Sequence, residues 1–287
     1  MHSARNTSRT VVAFLLVALA GCAGPGLDVD EVLANDFAPE DQATTELMPI
    51  AAFDLAATAL RERAELPDAT PADMVSASRG LFFAADARVQ LAALDALDEL
   101  GAPSLAQVVE IDSSAPDRTR AEVESLTRAG KQYAERALEL AEADADALLY
   151  RGLNTVLLAW SIGKSRAVFE GISSTCQEAT VAALAADEAH SSGAPLRLRG
   201  RFLSKAPWPV GDREEGLRLL RRSVEVAPVR LNWLFLGDAL YAAGDETAAI
   251  DAWQHAIDAQ SDDDSIALAG YHRQLASRRL NAAQDGR

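Results

Sequence analysis

Two Gly-Asp dipeptides, Gly211-Asp212 and Gly244-Asp245, stand 33 residues apart, and each opens the same grammar of small and large residues. After the second, Ala249, Trp253 and Ala256 share one helical face, two slim positions with an indole between them. After the first, Gly216, Leu220 and Ser223 fill the corresponding small, large and small places, and Asp212 with Glu215 approaches a capping box. Pro228 ends the earlier helix where Ser261 ends the later one, at the same spacing. Glycine gives each turn its permissive dihedrals and aspartate caps the helix that follows. Ahead of the second turn, Trp233 and Leu236 are expected to anchor one helix into its partner, with Gly237 letting the two backbones approach. Such a unit cannot bury its apolar face alone, so neighbouring units must stack.

Trp233, Leu236, Gly237, Gly244, Ala249, Trp253 and Ala256 fall at spacings similar to those of the tetratricopeptide repeat. The resemblance covers about Pro195 to Asp262 and extends toward Arg118, where Ala137 and Gly152 resemble a third copy. It implies an all-α fold of antiparallel helix pairs stacked as a tetratricopeptide-like α-solenoid. Bulk composition agrees: 49% of residues are hydrophobic but only 6% aromatic, and the excess is alanine and leucine, which favour helices. No stretch alternates with period two, so no sheet is expected.

Helical periodicity begins near Thr44 and runs to about Leu66 through Leu47, Ile50, Phe53, Ala57 and Leu60. Thr70-Pro71 starts a second helix that reaches Gly101, the proline standing where its missing donor is harmless. After a polar loop around Ser113 to Asp117, a third helix spans about Arg118 to Ala143. Longer helices are expected around Leu148–Ser161 and Ala167–Glu188. The expected organisation is therefore a helical region over 44–143, helical repeats over 144–282, and a disordered tail over 283–287.

At the other end, Arg5 and Arg9 precede ten unbroken apolar residues, Val11 to Ala20, and then Gly21 and Cys22. A basic start, a short apolar run and a small-residue site make a secretory signal over residues 1–21. The run is about half the roughly 20 residues of a spanning helix. Leu19-Ala20-Gly21-Cys22 resembles a bacterial lipobox, which implies that Cys22 is acylated and becomes the first mature residue. Residues 22–43 then read as an acidic, self-repelling tether, with Asp28, Asp30, Glu31, Asp36, Glu40 and Asp41 and no base after the cysteine. By analogy with enteric lipoproteins, Ala23 after the cysteine points to an outer-membrane anchor facing the periplasm.

Formal net charge is -16, a surface that repels phosphate backbones, so no nucleic-acid partner is expected. With Cys22 acylated, Cys176 has no partner for a disulfide and reads as a small buried residue. His190, His255 and His272 form no ligand pair, and no phosphate loop, nucleophile elbow or cofactor motif is present. Asp262-Asp263-Asp264 lacks the glycine and terminal glutamate of a calcium loop and reads as a capping turn. The expected role is thus a non-enzymatic, lipid-anchored scaffold in the cell envelope, taking no cofactor and binding a protein partner. First helices of each pair would line its groove, through Leu234, Asp238 and Tyr241. Leu234 and Asp238 stand where chaperone-binding repeats carry amide and lysine side chains, so a carboxylate clamp is not expected.

Two further features qualify as binding elements. Pro207 and Pro209 hold Trp208 in an extended segment, either folded back to seal a junction, the favoured expectation, or presented to a partner. Between Arg197 and Arg230 nine bases meet four acids, a local excess of +5, and Arg218, Arg221 and Arg222 share a face. That face is either solvated helix flank or a dock for an acidic partner or a second copy of the chain. The stretch Ala-Pro-Trp-Pro-Val-Gly-Asp, with long irregular helices behind a lipid anchor, also resembles the T component of certain tripartite periplasmic transporters. That resemblance implies a transport accessory with an apolar cavity between Leu149–Trp160 and Val181–Leu184.

Overall fold

The computed structural model describes residues 47–111, 115–259 and 267–285. Among them are twelve helices and no strand, so the fold is all-α, with helices packed in neighbouring pairs as a solenoid. The signal segment, Cys22, the tether, Ser261 and the Asp262 to Asp264 run lie outside the described residues.

Helix α1 (Ile50–Ala64) follows Pro49 and packs on α2 (Pro71–Leu100). Thr70 and Asp73 close a reciprocal box at the start of α2, each side chain bonded to the other's backbone amide, with Pro71 in its first turn. A five-residue helix, α3 (Leu105–Val109), follows; it is too short for a helical period to show in the sequence. Helix α4 (Asp117–Leu140) packs on α2 and on α5 (Ala145–Ile162). The single helix expected over Ala167–Glu188 is instead two, α6 (Lys164–Phe169) and α7 (Ile172–Ala186). Gly163 (φ +80°) and Gly171 (φ +72°) lie in the left-handed region, which stops each helix.

Helix α8 (His190–Lys205) pairs with α9 (Arg213–Val226), and α10 (Arg230–Ala242) pairs with α11 (Glu246–Asp258). The α8–α9 pair touches through backbone: a Cβ added to Gly216 would come within 2.9 Å of the Gly200 carbonyl. In the α10–α11 pair the sequence reading of Gly237 is corrected. Its missing side chain makes room for the Trp253 indole, 2.5 Å from where a Cβ would stand, and not for a second backbone. Trp253, Ala249 and Ala256 are fully buried, and Leu236 is buried with them, while Trp233 is half-buried and stacks on His255. Asp212 and Asp245 cap α9 and α11 as their positions predict, at 3.0 and 3.1 Å.

The last helix, α12 (Ala269–Asp285), packs on α11 and returns to α2 and α3. Tyr271 donates to the Met48 carbonyl at 2.6 Å, and Arg278 pairs with Asp98. The region expected as separate, up to residue 143, therefore shares one compact unit with the later helices. The expected disordered tail is corrected too: α12 continues to Asp285 and buries Ala283. No helix among the described residues is long and apolar enough to cross a membrane.

Because Trp253 fills the α10–α11 seam completely, Trp253→Ala should cost roughly 3–5 kcal/mol in urea unfolding. A loss under about 0.5 kcal/mol, typical of a surface position, would contradict this packing.

Candidate functional site

Asp238 lies on the buried face of α10, one helical turn beyond Leu234, and is 2% exposed. Arg279 of α12 grips its carboxylate with one edge of the guanidinium, Nε donating to Oδ1 at 2.6 Å and Nη2 to Oδ2 at 3.1 Å. Arg201 of α8 donates to Oδ2 at 2.8 Å, and the Trp253 indole of α11 donates to Oδ1 at 3.2 Å. One carboxylate thereby joins four helices. Burial by itself would raise its pKa, but the Arg279 and Arg201 charges outweigh burial and hold it below the usual carboxylate range. Arg201 also lies over the Phe235 ring, 4.4 Å from its centre.

A buried amide supports the same seam. Asn232 accepts from Arg197 at 2.7 Å and donates to the carbonyls of Ser192, Ser223 and Ala227. Ser191, Ser192 and Gly193, at the start of α8, all have left-handed backbone (φ +50°, +57° and +75°). Asn232 fastens that strained turn to the end of α9.

On α2, Asp86 keeps a minor part of its surface in solvent, and Gln90 donates to it at 2.9 Å. Burial pushes its carboxyl up to about 6, although the Arg201 and Arg197 charges pull the other way. Asp238 and Asp86 thus respond to pH in opposite senses. Asp238 stabilises the fold above its unfolded pKa near ~3.9, and the contribution fades only as pH falls through its lower folded value. Asp86 favours the protonated form when folded, so its burial costs stability as pH rises from about 4 to about 6.

The structure redistributes the residues that the sequence singled out. Leu234 and Asp238 are buried and cannot line an open groove; the helical period placed them on the first helix of a pair but not on which side. Tyr241 is half-buried, its ring 6.1 Å from that of Trp253. The expected basic patch is dispersed, because Arg197, Arg199 and Arg230 are buried and Arg201 reaches Asp238. Arg230 donates to the carbonyls of Ala256 and Ala259, closing the end of α11, and burial lowers its pKa to about 10. Arg218, Arg221 and Arg222 remain outside on α9. Arg218 pairs with Glu215, and Arg222 pairs with Glu188 and Glu225, whereas Arg221 stands exposed beside them. Cys176 is buried as expected, its thiol pushed up to about 12 by desolvation.

Trp208 corrects the favoured expectation: it does not seal a junction but is 88% exposed. Phe169, which sequence reading passed over inside a supposed long helix, is 91% exposed, and Val168 beside it 69%. The glycines at 163 and 171 were the available signal, since they isolate a short helix whose apolar end has nothing to pack on. Two clefts lined by charged residues lie on the surface. One, of about 410 Å³, lies between α4 and α6 and contains Asp117, Arg120, Glu124 and Arg166. Its Arg166 and Glu124 are locked with Arg128 and Glu170 in a ring of ion pairs. The other, of about 360 Å³, runs along α9 past Asp212, Glu214, Glu215, Leu217, Arg218 and Arg221.

No group of three or more histidine, cysteine or acidic side chains among the described residues could hold a metal ion. Comparison with protein-family models and with curated proteins found no match.

Asp86→Asn keeps the shape and removes the charge, so it should stabilise the protein by up to about 3 kcal/mol at pH 7.5. The gain should vanish by pH 4, where the parent carboxyl is protonated. Urea unfolding at both pH values checks this, and a variant no more stable than the parent at pH 7.5 would contradict the burial of Asp86.

Proposed function

We propose that this chain is a lipid-anchored, non-enzymatic scaffold of the tetratricopeptide-like class that binds a protein partner in the cell envelope. In this reading Cys22 carries the lipid, the acidic segment after it is a tether, and the outer membrane, facing the periplasm, is the site of attachment. The observation that carries the scaffold role is the commitment of the polar groups around Asp238 and Asn232 to structure. Asp238 is spent on two guanidiniums and an indole, Asn232 on four partners, and the Cys176 thiol lies far from its reactive thiolate form. Chemistry of that kind fixes helix positions and leaves recognition to the outside.

The outside surface that suits recognition is α9. Its outer ridge carries the exposed Arg221 beside Arg218 and Arg222, whose charges are met by Glu215, Glu188 and Glu225, so Arg221 is the guanidinium there that an acidic side chain of a partner would meet. This replaces the groove expected from Leu234 and Asp238. A transport-accessory role is less well supported, because Leu149 and Leu158 are buried in packed clusters and Val181 faces solvent.

A photo-crosslinking side chain placed at position 221 in intact cells should give a discrete, reproducible protein adduct. The same probe at position 258, exposed at the end of α11, should give none. Equal labelling at the two positions, or no adduct at 221 with a small molecule co-purifying, would contradict the proposal.

A further inference from the structure

From Lys164 to Gly171, the stretch that comprises α6 and the turn after it, only Ala167 is buried. Its methyl group joins a cluster of Leu158 from α5 with Ile172 and Cys176 from α7, against which Phe202 of α8 packs. A six-residue helix does not hold its own shape in water, since helices shorter than about 12–15 residues are marginal without tertiary support. One buried methyl group is a small seat for it.

Ion pairs to α4 supply the rest. Arg166 reaches across with Nη1 and Nη2 donating to the two oxygens of Glu124, at 2.7 and 2.8 Å. Its Nε donates to Glu170 at 2.6 Å. Arg128 of α4 closes the ring, donating to Glu170 at 2.7 Å and to Glu124 at 2.9 Å. Beside this ring, α4 and α6 are parted by the cleft of about 410 Å³ that contains Asp117 and Arg120. The four side chains of the ring are 22% to 49% exposed, so dissolved ions reach them.

Both ends of the segment are glycines, Gly163 (φ +80°) and Gly171 (φ +72°). Apart from chain neighbours, nothing lies within 4 Å of where a Cβ would stand at either one. Glycine turns through φ of either sign at little cost, so these ends can serve as hinges. We infer that α6 is a hinged strap, clasped to α4 by the ion-pair ring and opened by ionic strength, which lifts Ala167 out of the apolar cluster. The range of exposed charges shrinks from about 10 Å at 0.1 M salt to about 3 Å at 1 M, so salt loosens the clasp. The packed faces of α5 and α7 have no such dependence. This device needs neither a lipid at Cys22 nor a partner at Arg221.

Hydrogen exchange of the full-length chain, read by mass spectrometry, tests it. The amides of Ala167, Glu170 and Gly171 donate to the carbonyls of Gly163, Arg166 and Val168 at 2.9, 2.8 and 3.1 Å, so they report opening of the strap. Between about 0.05 M and about 1 M sodium chloride, exchange over 167–171 should quicken at least about fivefold, while α5 and α7 keep their rates. The double variant Arg166→Gln with Glu170→Gln removes the strap's share of the ring. Its exchange over 167–171 should be fast at low salt and indifferent to added salt. Exchange in the parent that does not change with salt, or that quickens equally in α5 and α7, overturns the inference. Salt-sensitive exchange that survives in the double variant overturns it too, because the ring would then not be the clasp.

Discussion

A charged carboxylate enclosed within a helical stack must be matched by donors on every side, and Asp238 sets that demand for the whole carboxy-terminal half. Its four bonds come from α8, α11 and α12, so none of these helices can shift without exposing a buried charge. The indole that donates to it is the same one that fills the space Gly237 leaves. Packing and polar satisfaction therefore specify one register between α10 and α11. Arg279, fixed by this bond, brings α12 into place, and α12 in turn meets α2 and α3.

Closure of the last helix on the first ones separates the protein into two chemical regions. Inside, arginines that would make a basic patch if exposed are consumed as donors: Arg197 to Asn232, Arg199 to Gln177 and Thr180, Arg230 to the end of α11. Outside remain the α9 ridge with Arg221 and the exposed rings of Trp208 and Phe169.

Much of the stack was legible in the sequence because its signals are local. Thr70-Pro71, Gly244-Asp245 and the Ala249, Trp253, Ala256 triad each act within one turn or one helix face, and each stands where its spacing put it. What the sequence hid depends on partners far along the chain. Asp238 interrupts an apolar face, and only Arg279, 41 residues later, makes it a core residue. The arginines of α8 looked like surface charge because nothing nearby in sequence accepts from them. Trp208 was expected to be buried on size alone, yet its turn closes through backbone bonds that leave the ring no surface to cover. The break at Gly163 and Gly171 was visible in principle, but alanine-rich flanks carry a helical period straight across it.

The most direct test of the account is a double-mutant cycle on the node itself, Asp238→Leu and Arg279→Leu singly and together, read by urea unfolding. Asp238→Leu leaves Arg279 buried without its carboxylate, Arg279→Leu leaves Asp238 with only Arg201 and the indole, and the pair removes both ends of the bond. The account predicts that the double variant is more stable than the sum of the two losses by at least about 1 kcal/mol. Losses that simply add would mean that Asp238 and Arg279 act independently, and that the stack is registered by something other than this bond.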